Sequence, residues 1–243
     1  MERETVRSLI LGAGIVVGGS LVGSGLARVR ASEPYVTVKG IAEHEVRADL
    51  AIWPIHVTAA DNDLATANAQ LQKNLATIRA FLVRHQIDTA QSSLQGFSVS
   101  DASTNQYATG QRAGARYVIK ETLVIRSTKP DLILSASQSI AELVGAGVVL
   151  STGTEYGPGQ GSPTFVFTGL NKLKPQMIGE ATARAREAAE QFARDSRSSI
   201  GGIRYASQGV FAILPRDQAG GITEASQIVK TVRVVSTIDY FLR

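Results

Sequence analysis

Three histidines, His44, His56 and His85, are the first candidates for metal or proton chemistry in this chain of 243 residues. Zinc accepts three such ligands and keeps a fourth position for water. None of the spacings HxH, HxxxH or HExxH, which bring two imidazoles onto one face, occurs here. Glu43, Glu45 and Asp49 crowd one turn region and could pair for acid–base work or hold a cation, although a solvated acidic edge is the plainer reading. No serine sits in GxSxG or SxxK, so no hydrolase triad is indicated. Gly157-Pro158-Gly159-Gln160-Gly161 offers phosphate-cradling glycines, but a strand follows instead of a helix and no Lys-Ser/Thr completes the cradle. It reads as a mobile loop. The chain has no cysteine, which removes disulfides, thiolate nucleophiles and cysteine-ligated metals together. No catalytic residue, metal ligand or cofactor is predicted, and the chain reads as non-enzymatic.

What must position any site is ample, because 44% hydrophobic and 19% charged residues are too apolar for disorder and too mixed for a polytopic membrane protein. The 25 basic residues exceed the 21 acidic ones. Part of that excess, Arg3, Arg7, Arg28 and Arg30 against Glu2 and Glu4, flanks the first apolar stretch, and the remainder is nearly neutral. Its basic residues are scattered, without a stripe or aromatic interleaving that could track a phosphate backbone, so no nucleic-acid partner is expected.

Residues 9–27 carry no charge. As a helix they would reach about 28 Å at 1.5 Å per residue, against a hydrocarbon core of roughly 30 Å. A single uncleaved transmembrane helix is predicted, with a cleaved signal peptide as the alternative because Ala27 and Ala31 supply small residues. The basic flanks nearly tie, so the positive-inside rule does not orient the span; the short basic head favours a cytoplasmic N-terminus with residues 33–243 exported. Ile10 to Gly18 imitates a dinucleotide-binding turn, but its third glycine falls one residue late. The pairs Gly14/Gly18 and Gly19/Gly23 have a better membrane use, since small-xxx-small spacing lets helix backbones approach.

The body reads as α+β. Alternation predicts two strands within 33–60, and Pro54 places the second at a sheet edge or a bulge. Asp61 or Asp63 opens a helix through Leu64, Leu71, Leu75, Ile78 and Leu82 to His85. Strands near Leu94–Ser100 and Tyr117–Ile125 complete a β-α-β-β unit. A bridging helix starts at Lys129-Pro130-Asp131 and runs through Val144 to Gly145 and Gly147. A short strand at Val148–Ser151, the glycine loop and a strand at Phe165–Phe167 then precede a helix from Pro175 to Ser198. That helix is expected to bury Ile178, Ala181, Ala185, Ala188 and Phe192. Strands Tyr205–Leu214 and Thr231–Leu242 close a second β-α-β-β unit. The halves fall at about 35–128 and 163–243, with antiparallel-rich sheets and helices on one face, after an N-terminal segment 1–32.

Val36-x-Val38-x-Gly40 with Asp49 nine residues on, Arg116-Tyr117, Gly145-Ala146-Gly147 and the helix from Glu180 to Ala189 occur in an order that resembles the SIMPL domain family over about 35 to 243. Ala48 departs from it, since the family usually has proline before the aspartate, and a less rigid turn follows. The resemblance implies a bacterial envelope protein that forms large homo-oligomers, is linked to stress tolerance and has no established reaction or catalytic residues. Together these readings predict a single-pass inner-membrane protein with residues 33–243 in the periplasm, or a secreted periplasmic form if the signal is cleaved. Its predicted partners are itself and the membrane, with no small-molecule substrate. A ligand- or protein-binding sensory module, using loops 101–115, 151–163 and 215–229, and an enzyme with an unrecognised site are the alternatives.

Overall fold

Asp63 caps a helix because its carboxylate accepts the Thr66 N–H at 2.8 Å, satisfying one of the donors a helix start leaves free. That helix, α1 (Leu64–Arg84), buries Ala67, Leu71, Leu75, Ile78, Phe81 and Leu82, while Leu64, in its first turn, stays exposed. The computed structural model describes residues 18–20, 34–104, 114–150 and 161–243, and among them the chain is α+β. The strands are β1 (Tyr35–Arg47), β2 (Leu50–Asp61), β3 (Ser93–Asp101), β4 (Tyr117–Ser127), β5 (Thr164–Val166), β6 (Ile200–Gln208), β7 (Ala212–Pro215) and β8 (Val229–Leu242). The other helices are α2 (Pro130–Gln138), α3 (Ala141–Gly145) and α4 (Leu170–Asp195).

Two compact units result. One comprises Ala42–Gly179 and Val210–Val234. Its antiparallel sheet has the order β3-β4-β2-β5. Period-2 alternation puts Ala51, Trp53, Ile55, Val57 and Ala59 of β2 beside Ile119, Leu123 and Ile125 of β4, and α1 covers them. Ile133, Ala136 and Leu143 of α2 and α3 join the same core. The other unit holds the described residues up to Ile41 with Glu180–Gly209 and Val235–Arg243. There Val36, Ala185, Ala189, Ile238 and Tyr240 form a smaller core between strand and helix.

Strand pairing does not follow the halves of the chain. β1 pairs with β8, alongside β6, and β5 pairs with β2, so each half contributes its first strand to the sheet that also contains strands of the other. Several boundaries also shift. The expected helix over 130–144 is two helices, because the Ser137 hydroxyl donates to Leu134 O at 2.7 Å and the bonds at Ser139 and Ile140 tighten to i→i−3. α4 begins at Leu170, placing Pro175 inside the helix and not in its first turn. Its buried stripe is Met177, Ala181, Ala185, Ala189 and Ala193, leaving Ala188 and Phe192 exposed. The expected strand Tyr205–Leu214 is β6 and β7, separated at Gly209, whose N–H donates to Val235 O at 2.8 Å. Of the strand expected at 148–151, the described residues retain one bridge, Leu150 to Val57.

Among the described residues no helix is long and apolar enough to cross a membrane. The stretch 9–27 lies outside them except for residues 18–20, which are helical. Gly18 and Gly19 have open space about them, and Gly14 and Gly23 lie outside the described residues.

Candidate functional site

Pro54 lies at a concavity. Thr58 donates its N–H to Val149 O at 3.2 Å, so the even-numbered residues of β2 direct their main-chain groups away from β4. On that side β5 pairs only as far as Ile52, and the next partner is Leu150 opposite Val57. Proline has no N–H to offer a neighbouring strand, and it falls in the gap. Among the described residues, β2 is therefore an interior strand of its sheet whose outer edge has no strand partner where the proline sits.

The gap opens into a groove of about 410 Å³ lined by Trp53, Ile55, His56, Ile140, Val144 and Leu150, among others, with Gly161, Ser162 and Pro163 on its rim. Trp53 is held there by its indole N–H, which donates to Gly161 O at 3.0 Å. Gly161 has φ of +98°, a backbone conformation open to glycine at little cost. Nδ1 of His56 bonds the Thr122 hydroxyl at 2.9 Å, while its Nε2 and the Thr58 hydroxyl are buried atoms without a hydrogen-bond partner. Apart from the His56 imidazole, no ionisable side chain is among the described residues that line the groove. Such a site can hold a small, mainly apolar molecule.

The three histidines are distributed over β1 (His44), β2 (His56) and the C-cap of α1 (His85). His85 packs at a tilt against Phe81 with ring centroids 4.4 Å apart and lies 3.7 Å from Glu142. Among the described residues no group of His, Asp and Glu is placed to hold a metal ion. The acidic trio is likewise dispersed into separate contacts. Glu43 pairs with Arg233 at 3.2 Å. Asp49 accepts the Thr168 N–H and hydroxyl, both at 2.8 Å, tying the start of β2 to the turn before α4. Glu45 lies within electrostatic reach of Arg216, whose guanidinium is held protonated beyond its usual range chiefly by Asp217. The glycine-rich loop lies outside the described residues up to Gln160, and its last residue, Gly161, is the groove rim.

Two features carry no sequence signature. Lys230 on β8 is completely buried, with its ammonium 2.5 Å from Glu224 Oε1 and a further bond to Glu224 O. Alternation within β8 marks position 230 as inward-facing, yet nothing local identifies its acidic partner. The second is β3. It is the outermost strand of its sheet, every residue from Ser93 to Ser100 is exposed, and Leu94, Phe97 and Val99 are 43%, 59% and 45% accessible. A bulge between Gln95 and Ser98 contains Gly96 at φ +64°, the left-handed conformation such bulges use.

Among the described residues, fold and surface together define an α+β protein with two four-stranded sheets, a mainly apolar groove and an exposed outer strand bearing Leu94, Phe97 and Val99. The chain belongs to the SIMPL family, described as a protein of unknown function (DUF541), whose family model matches residues 36–236. No curated protein matches the chain.

Proposed function

We propose that this protein is a non-enzymatic, membrane-anchored envelope component whose exported SIMPL domain, residues 33–243, self-assembles into a homo-oligomer of more than two subunits. The observation that carries the reading is β3. An outer strand exposes unpaired main-chain groups and is an association site unless something blunts it. β3 adds Leu94, Phe97 and Val99 to that edge, and full burial of each such side chain is worth about 1.5–3 kcal/mol. A second copy of the chain is the occupant that the near neutrality of the exported body favours, because little charge repulsion opposes packing copies together. Residues 9–27 supply the anchor by their length and freedom from charge, and tethering in a membrane plane raises the local concentration of the domain. Close packing of neighbouring anchors would use Gly14/Gly18 and Gly19/Gly23.

Light scattering on the full chain and on residues 33–243 tests the assembly. A mass of several chains in both is expected, and replacing Phe97 and Val99 by lysine should reduce it towards one. A monodisperse monomer for both unmodified proteins would overturn the reading, and a monomer only after removal of residues 1–32 would move the main interface to the anchor. Intact-mass analysis of membrane-extracted protein tests the anchor separately, since a chain that starts near Arg28 or Ser32 would establish cleavage.

A further inference from the structure

We infer that β6 is the surface a second copy of this chain offers to β3, so that copies join head to tail through one repeated β3–β6 contact; this rests on the self-assembly reading above and names both sides of the contact. Among the described residues β6 is the outermost strand of its sheet, as β3 is of the other. Every residue from Gly202 to Gln208 is exposed, and Ile203 and Tyr205 are 49% and 59% accessible. A strand open to water on both faces forgoes the burial that strands ordinarily gain, and a neighbouring strand restores it. The other edges are poor candidates. β1 alternates its buried Val36, Gly40 and Ala42 with Lys39, Glu43, Glu45 and Arg47, charges that oppose the approach of another edge. β5 has only three residues and β7 four.

Symmetry and charge select the pairing. A self-complementary contact joins two copies and stops, so an assembly beyond two needs a second surface on each chain. β3 meeting β3 would end at two and leave β6 bare. β6 meeting β6 is opposed by charge, because Arg204 is the central residue of Ile200–Gln208 and its one charged group. Two such strands paired antiparallel along their full length set Arg204 against Arg204. Its guanidinium lies 4.0 Å from the centre of the Tyr35 ring and has no carboxylate partner among the described residues to offset that repulsion. β3 carries no charge from Ser93 to Ser100, so Arg204 meets no like charge there.

Sedimentation of the full-length protein in detergent, with lysine placed on one strand or the other, tests the contact. Phe97→Lys on β3 and Tyr205→Lys on β6 fall at positions each 59% accessible, which tolerate a charge in the folded chain, and far-ultraviolet circular dichroism checks that they do. Every contact uses β3 of one copy and β6 of the next, so each variant alone is expected to fall to the mass of a single chain. In an equal mixture the Phe97→Lys protein keeps an intact β6 and the Tyr205→Lys protein an intact β3, and the mass should double to two chains. Val99→Lys and Ile203→Lys should give the same pattern, so the result does not depend on one pair of sites. A Tyr205→Lys protein that keeps the mass of the unmodified chain would remove β6 from the assembly. A mixture no heavier than its components would overturn the head-to-tail contact and leave β3 meeting β3. Failure of self-assembly itself is a different result, a single-chain mass for the unmodified protein.

Discussion

Gly40 lies directly on the backbone of α4 at Ala181: a Cβ built on the glycine would overlap the Ala181 carbonyl oxygen and stand 2.6 Å from the Ala185 nitrogen. The third residue of the Val36-x-Val38-x-Gly40 pattern is thus a packing requirement. The alanines on the facing helix, at 181, 185 and 189, are completely buried and let strand and helix approach this closely. A larger side chain such as Phe192 has no place in that stripe.

Gly40→Ala is expected to destabilise the protein by at least about 3 kcal/mol, the upper end of ordinary overpacking, because the obstruction is helix backbone that cannot rotate away. Ala181→Gly should not rescue it, since the clash is with main-chain atoms. Urea unfolding of the single and double variants measures both, and a cost below 1 kcal/mol for Gly40→Ala would refute the close approach.

Ala48 is a second place where a side chain's absence matters less than a main-chain group's presence. Its N–H donates to Ile228 O at 2.8 Å, within a buried position next to the core. Proline at this position would lose that bond and leave the Ile228 carbonyl without this donor. Ala48→Pro should therefore destabilise by about 1–3 kcal/mol, whereas Ala48→Ser should cost less than half of that. Thermal unfolding of the two variants provides the comparison, and a stabilising proline would contradict the argument.

Lys230 and Glu224 should respond asymmetrically to mutation. Glu224→Ala leaves a fully buried ammonium without its carboxylate and is expected to cost about 3–5 kcal/mol. Lys230→Met removes the charge and retains the aliphatic stem, while Glu224 keeps 35% of its side chain in solvent, so the cost should be much smaller. Denaturant titration would refute this description if the two variants lost equal stability.

Asp101 provides the pH test. Hydrogen bonds from the Ser103 hydroxyl, the Arg116 guanidinium and the Ser103 N–H lower its carboxyl to about 2 from an ordinary value of 3.8. A depressed carboxylate contributes stability that is present above the unfolded value and lost as pH falls through 3.8 towards 2. Arg116→Ala should raise the midpoint, only partly because Ser103 remains, and flatten this acid limb. Carboxyl-carbon NMR titration of Asp101 measures the midpoint, and an unchanged value in the variant would remove Arg116 from the account.

Local rules were sufficient wherever a structural decision is local. The α1 start at Asp63 and its end at His85 follow from a cap and a 3.6-residue apolar repeat, and β2 and β4 follow from alternation, because each depends on neighbours within a few residues. The order of motifs from Val36 onward was enough to place the chain in its family. Decisions between distant segments were not legible. Nothing near β1 specifies β8 as its partner, and nothing near β5 specifies β2. The proline at 54 announced a break in pairing, but only the ends of β5 and the Leu150 bridge turned that break into a groove. His56 was visible as a residue while its unpartnered Nε2 was not, and the Lys230–Glu224 pair and the bare face of β3 were likewise invisible. Capping and periodicity are properties of a few consecutive residues, whereas a cavity, a buried ion pair and an exposed strand exist only after segments far apart in the chain have either met or failed to meet.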